Sequence, residues 1–303
     1  MTSALLSTFP DDKVRALTGM TPAALKQLFD HVTPEILNRR LQAQKGRQNR
    51  KRTTGGGRKR RLLTEQEILL TLIYLRHNVS HCVIGHLFGV SADTSENTFA
   101  EIAPVLRDVC PAGKYDAHKK WKKSEPSWHP DKIDKVLVDS GEMAQPFTRF
   151  ETPVPRPSDY EAQRRVYSGK KKDHTLKTQI VSDGAGDILE ISAGYRGPQS
   201  DKRVYEHSGV SKRYKSAVKQ ADLAYKGIEG VETPHKKPKG KELTDKQKEE
   251  NRSFSSSRVR VEHGIRRIKS FRIVRDEFRL GFGLFSMVVS AVTGLVQLNR
   301  LFP

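Results

Sequence analysis

The hydrophobic pattern of this chain changes its period part-way along, and that change limits the fold more than any other feature. From Leu63 to Val109 apolar residues recur every three or four positions, the spacing of helices that bury one face. Beyond a connector rich in Trp and Lys, Lys135-Val136-Leu137-Val138-Asp139 reads as a buried strand ending in an acid. Thr175 to Val181 and Ile188 to Ala193 read as two further strands, joined by the turn Asp183-Gly184-Ala185-Gly186. Ser200 to His207 has a helical pattern, Ala217 to Ala221 reads as a fourth strand running into Asp222, and a long basic helix is expected from about Ser256 to Val274. A chain with this order is helical in its first part and α/β in its second.

The helical part is punctuated. Thr21-Pro22 supplies an N-cap and first helical residue, and Thr64 with Glu67 predicts a capping box at the head of the next helix. A short helix over His81 to Phe88, the turn at Gly89, and a third helix capped by Ser91 give the order helix, Gly-containing turn, helix. That order predicts a helix-turn-helix, with an ordinary helical bundle as the alternative. In the first case Thr94, Ser95 and Asn97, near the start of the third helix, face DNA. The expected organisation is a helical segment over 1–44, a basic flexible arm over 45–61, a helix-turn-helix domain over 62–112, a connector over 113–133 and an α/β domain over 134–303. His77, His81 and His86 have no acid or Cys in a ligating pattern beside them, so no metal is expected there.

Charge narrows the function. Lys and Arg number 55 against 35 acids, a formal net charge of +20 that calls for a polyanionic partner. Nine of the cations lie in the arm KGRQNRKRTTGGGRKRR, which holds no acid. Arg50, Lys51, Arg52, Arg58, Lys59, Arg60 and Arg61 are therefore candidate backbone contacts, the alternative being a solvated charge run. GGGRKR lacks the Lys-Ser/Thr ending of a phosphate-cradling loop. Two cysteines cannot build a disulfide framework or a Cys-rich zinc site. No signal peptide is visible, and the apolar stretch Leu284 to Phe302 is interrupted by Ser286, Ser290, Thr293, Gln297, Asn299 and Arg300. A buried helix is expected there, not a membrane span, so the expected location is cytoplasmic and nucleoid-associated. Trp121 and Trp128, set among lysines, either stack on bases or seal the junction between domains; the connector-like flanks favour sealing.

Three acids stand out by position. Asp139 and Asp222 end the first and fourth strands, 83 residues apart, and Glu262 follows 40 residues later on the basic helix. The order strand, strand, strand, helix, strand, helix is that of a ribonuclease-H-like core, a mixed sheet flanked by helices. In such a core the first and fourth strands are neighbours, so their acids could converge beneath the helix. Three carboxylates at one point suit Mg²⁺, with Mn²⁺ as a substitute, and two such ions support in-line phosphoryl transfer. Arg258, Glu262, Arg266 and Lys269 share one helix face while Val261, Ile265 and Ile268 line the next. Glu262 either serves a metal beside a phosphate backbone or forms surface ion pairs with these cations.

The strings DSGE at 139, RPSDYEAQRRVYSGKKKDHTLKTQIV at 156, GPQSDKRVYEH at 197, DLAYKG at 222, PHKKPKGKELTDKQKEENR at 234 and SSSRVRVEHGIRRIKSFRIVRDEFR at 255 carry a resemblance. In order and content they resemble the DDE-superfamily transposases of bacterial insertion sequences, closest to the insertion-sequence family numbered five and its Harbinger-like relatives. The resemblance runs from about Leu63 to the C-terminus. It implies Mg²⁺-dependent cleavage at the ends of a mobile element and strand transfer to target DNA. Asp139, Asp222 and Glu262 match the catalytic acids, Tyr225 and Gly227 the supports of the second acid, and Arg258, Arg266 and Lys269 the basic face. Lys170, Lys171 and Lys172 fall in a basic segment expected to meet DNA. Asp201 resembles a position with a structural role. The implied partners are terminal inverted repeats, target DNA and a second copy of the chain, since two element ends are joined in one event.

One departure stands out. Family members pass from the first Asp almost directly to the Arg-Pro motif, whereas MAQPFTRFE, residues 143–151, intervenes here. If these residues only enlarge a loop, the chain is an active transposase. If they displace Asp139, it is a catalytically impaired or host-recruited copy acting as a sequence-specific DNA-binding protein.

Overall fold

Leu25, Leu28, Val32 and Ile36 recur at helical spacing and bury one face of a long helix, capped where Ala24 N–H donates to Thr21 Oγ1 at 3.0 Å. The computed structural model describes residues 9–45, 59–122, 145–240 and 242–303. The strand expected at 135–139, Asp139 itself, Arg50, Lys51, Arg52, Arg58 and Trp128 lie outside the described residues. The helical part comprises α1 (Asp11–Thr18), α2 (Pro22–Lys45), α3 (Thr64–His77), α4 (His81–Phe88), α5 (Ala92–Val109) and α6 (Lys114–Lys122). Ser80 and Ser91 cap α4 and α5 through Val83 N–H and Thr94 N–H, and Gly89 ends α4 in the left-handed region. Helices α3, α4 and α5 pack on one another in the expected tri-helical order.

The capping of α3 differs from expectation. The helix starts at Thr64, so Gln66 holds the reciprocal position and its Oε1 accepts from Leu63 N–H at 2.8 Å. Glu67 falls one step further, on the inner side, and is only 2% exposed. Arg40 of α2 meets it at 2.6 Å and Arg60 at 2.8 Å, so the acid ties α2 to α3 rather than capping a helix.

The α/β part begins with β1 (Gln145–Pro153), which takes up most of the stretch 143–151 that sets this chain apart from the family pattern. Its prolines sit near the two ends, where a strand tolerates them, and Phe150, Thr152 and Val154 alternate inward. After α7 (Tyr160–Val166), β2 (Tyr167–Ser168), β3 (Asp173–Ser182) and β4 (Ile188–Arg196) complete an antiparallel sheet in which β3 pairs with the other three. Next come α8 (Asp201–Ser208), α9 (Val210–Arg213), β5 (Lys219–Gln220), a 3₁₀ turn Leu223–Tyr225 and β6 (Val231–Glu232). Strand β5 pairs in parallel with β6 and lies alongside β1. Among the described residues, then, the expected single mixed sheet is an antiparallel sheet flanked by a separate parallel pair. The fourth strand also stops at Gln220, two residues before Asp222.

The basic helix α10 (Asp245–Ile268) starts eleven residues before the expected Ser256. Thr244 and Gln247 form a capping box there, with Gln247 N–H donating to Thr244 Oγ1 at 3.3 Å and Thr244 N–H to Gln247 Oε1 at 3.1 Å. A turn at Lys269 ends it before α11 (Arg272–Arg275).

The last helix, α12 (Phe285–Leu301), is long and apolar enough to cross a bilayer, yet it forms the core. Val288, Val289, Ala291, Val292, Leu295 and Leu298 are fully buried between α5, α6 and β4. The approach to α5 is closest at Gly294, where any side-chain carbon would overlap the backbone carbonyl of Cys110. Gly294→Ala is therefore expected to lower stability by about 1–3 kcal/mol through overpacking, although Ala favours a helix over Gly by about 1 kcal/mol. Urea unfolding of the two proteins measures it, and an equal or higher midpoint for the variant would show that this approach is not tight.

Candidate functional site

Helix α10 lies with Val261 and Ile268 buried, which turns Arg258, Glu262 and Arg266 outward. Arg258 Nε donates to Glu262 Oε1 at 3.0 Å, with side chains 60% and 51% exposed. Asp222 is half-buried at the end of the β5 segment and caps the 3₁₀ turn, its Oδ1 accepting from Ala224 N–H at 2.8 Å. Its Oδ2 has no hydrogen bond among the described residues. Tyr225 anchors that turn at 1% exposure in a small core with Tyr205, Val210 and Tyr214, and burial pushes its phenol pKa up. Gly227, at φ +87°, provides the left-handed backbone that lets the chain leave the turn.

Asp222 and Arg258 line one cleft of about 180 Å³, together with Thr148 and Arg149 of β1, Lys170 and Ser255. Of the predicted acids Asp222 lines this cleft, while Glu262 is outside its lining and bonded to one lining residue, Arg258. No group of three His, Cys, Asp or Glu gathers at one point among the described residues. The residues that sequence reasoning missed are Thr148 and Arg149, on the strand beside β5. The alternation of Phe150, Thr152 and Val154 was the available signal.

Charges are stacked under the cleft floor. Arg149 pairs with Asp201, and Lys177 lies 4.0 Å from Glu151 and 3.9 Å from Asp201. Burial, and then the Arg149 guanidinium, hold the Lys177 ammonium below the usual lysine range. The Asp201 carboxylate is spent on these cations.

The predicted DNA contacts divide. Lys170, Lys171 and Lys172 are exposed at the tip of the β2–β3 hairpin, with Lys172 at φ 55°. Thr94, Asn97, Lys59 and Arg61 are exposed, as are Arg258 and Arg266. Three others are corrected. Ser95 is fully buried and shares a 3.0 Å hydrogen bond with His81 Nδ1, because its position on α5 faces α4. Arg60 is engaged by Glu67 at 2.8 Å and Glu101 at 2.9 Å. Lys269 lies beyond the last turn of α10, half-buried, with its ammonium 5.3 Å from the Phe150 ring centre. Burial, and then Lys171, depress its pKa. Trp121 is buried edge-on to His31, ring centres 4.5 Å apart.

Comparison with known proteins adds the following. Residues 149–297 match the family model described as DDE superfamily endonuclease, and residues 60–111 match the helix-turn-helix of DDE superfamily endonuclease. A protein of Microchaete diplosiphon named "probable transposase for insertion sequence element IS702" is 32% identical over 240 residues, covering 75% of this chain and 79% of that protein. A Streptomyces albus G protein that carries the name of a transposase of insertion sequence element IS112 is 26% identical over 239 residues, covering 78% and 79%. No solved structure matches the chain.

Within the matched helix-turn-helix, His81 stacks on Tyr74 with ring centres 4.2 Å apart, and its buried Nε2 has no hydrogen-bond partner among the described residues. Burial lowers its pKa below 6.5; Glu96 opposes that shift and Arg279 adds to it. A lowered histidine pKa means the unfolded chain takes the proton first. The stability it contributes is complete above about pH 6.5 and is lost as pH falls through the folded-state value. Unfolding midpoints at about pH 7.5 and about pH 5.5 should therefore differ more for the parent than for His81→Gln. Equal losses in the two proteins would show that another group carries the acid sensitivity.

Proposed function

Because the chain belongs to the DDE superfamily of endonucleases, among the transposases of insertion sequences, we propose that it cleaves the ends of such an element and transfers the strands to target DNA. The helix-turn-helix reads the terminal inverted repeats through Thr94 and Asn97, with the basic arm on the backbone. Two copies act together, one for each element end. The observation that carries this reading is the cleft in which Asp222 faces Arg258, the partner of Glu262, with Lys170 at its edge.

The donors fit a hard divalent cation. Asp222 keeps Oδ2 outside its own turn, and Glu262 is held only by an exposed ion pair, the kind worth about 0.2–1 kcal/mol. Asp222 and Glu262, with Asp139, would hold Mg²⁺ or Mn²⁺. Two ions would supply activation of a water or 3′-hydroxyl and stabilisation of the leaving oxygen. The chain's own residues do the rest. Lys170 and Arg258 draw a phosphodiester to the cleft mouth, and a phosphate on Arg258 releases Glu262 from its ion pair. Tyr225 and Gly227 keep Asp222 aimed while the DNA is loaded. Asp222→Ala should reduce end cleavage by at least about 10²–10³-fold with Mg²⁺ present. A variant that cuts terminal-repeat DNA as well as the parent would end this reading.

One observation favours a second reading, an impaired copy that binds DNA without cutting it. The strand beside β5 offers Thr148 and Arg149 to the cleft, not an acid, and the family match begins at Arg149, after Asp139. Calorimetry with Mn²⁺ on the parent and on Thr148→Asp separates the two. An active enzyme binds Mn²⁺ as the parent. An impaired copy gives no binding heat until Thr148→Asp supplies the carboxylate, while its salt-dependent DNA affinity is the same in both proteins.

A further inference from the structure

A second, larger cavity lies away from the acidic cleft. It measures about 750 Å³, within the range of ligand pockets, and is walled by Arg15 of α1, Arg76 of α3, His263, Arg266 and Arg267 of α10, and Arg300 of α12. Among the described residues, no acidic side chain lines it. Two of the arginines are fixed. Arg76 Nη1 donates to Ser270 O at 2.6 Å with its guanidinium 5.6 Å from the Phe271 ring centre, and Arg300 pairs with Asp187. Burial lowers the pKa of both. Arg15, Arg266 and Arg267 are exposed, with no ion pair among the described residues.

The uncharged polar groups of the wall are already used. Thr21 N–H donates to Asn299 Oδ1 at 2.9 Å, Thr21 Oγ1 to Phe302 O at 2.7 Å, and Asn299 Nδ2 to Gly19 O at 2.6 Å. What remains to meet a ligand is the His263 imidazole and the guanidinium groups. Such a wall reads charge and carries no pattern that would tell one base from another. Guanidinium groups gathered in a concave wall concentrate positive potential, here chiefly from those other than Arg300, and the planar guanidinium fork matches phosphate oxygens. The geometry also sets a distance to the cleft. Arg258 and Arg267 are nine residues apart on one helix, about 14 Å along its axis, or about four base-pair steps of duplex rise.

We propose that this cavity is a phosphate-binding site and that its ligand is the sugar–phosphate backbone of the DNA held at the cleft. The DNA assignment rests on the function proposed above; the phosphate site does not. Binding there would join α1 and α3, packed with the helix-turn-helix, to the helix that carries Glu262.

The test uses the full chain and the double variant Arg15→Gln/Arg267→Gln, two exposed side chains without ion pairs whose loss leaves the packing untouched. One arm titrates a labelled duplex of arbitrary sequence at several salt concentrations. The slope of log affinity against log salt should become shallower by about 1.8, at about 0.9 per phosphate contact. The other arm follows thermal unfolding with sodium tripolyphosphate, which should stabilise the parent and not the variant. Lost tripolyphosphate protection with an unchanged duplex slope would keep the phosphate site and overturn DNA as its ligand. Parent and variant alike in both arms would overturn the site. The cleavage reading is judged by its own experiment, end cleavage by Asp222→Ala, so a failure of that reading and a failure of this site are seen separately.

Discussion

Helix α12 is shared by the two halves of the molecule. Its aliphatic residues are buried against α5 on one side and β4 on the other, each contributing roughly 1.5–3 kcal/mol relative to exposure. Gln297 completes the junction, its Nε2 donating to Ile188 O at 2.8 Å and Ala112 O at 3.3 Å. The turn that joins β3 to β4 is clamped to the same junction. Asp183, fully buried, accepts from Lys114 at 2.6 Å and from its own turn, while Asp187 meets Arg300 of α12. A helix-turn-helix joined to an α/β part by a tether would report binding weakly to a distant cleft. Here a common core fixes the two, so DNA held by one has a defined position at the other.

The net charge of +20 acquires a structural meaning once the acids are followed. Glu67, Glu101, Asp183, Asp187, Glu190 and Asp201 face inward or across junctions and are each spent on a particular cation. Taking a buried partner from such a pair is costly, so these acids neutralise charge where the fold needs it. Part of the excess is then left on the hairpin tip at Lys170 to Lys172 and along α10, in addition to the nine cations of the arm. These outward cations repel one another in the free protein, and a polyanion relieves that repulsion.

Sequence reading reached the elements whose signals are local. The 3.6-residue period gave α3 to α5 and α12, the turn Asp183 to Gly186 gave the β3–β4 hairpin, and Asp222 stood out at the end of an apolar run. What escaped it depends on contacts between distant segments. β1 is marked by prolines at its ends, and the short alternation of Phe150, Thr152 and Val154 is secured as a strand by its pairing with β3, Thr152 opposite Leu176 and Phe150 opposite Thr178. Ser95 and Arg60 have the composition of DNA contacts, yet His81 and Glu67 claim them. The early start of α10 was written in Thr244 and Gln247 but masked by a Lys/Glu-rich composition that reads equally well as a solvated loop.

The pairing of Glu262 with Arg258 joins the two electrostatic themes. An exposed i, i+4 pair is weak enough to be exchanged, whereas a charge-assisted hydrogen bond from Arg to phosphate is about twice as strong as a neutral one. On the proposed function, bringing DNA to α10 favours Arg258 turning to the backbone and leaves Glu262 a free carboxylate one helical turn from it. A divalent cation that enters with the DNA would then take that carboxylate in place of Arg258. On the proposed function, then, the acid neighbourhood is assembled only when substrate and metal arrive together, and the free protein keeps its third acid neutralised by its own helix.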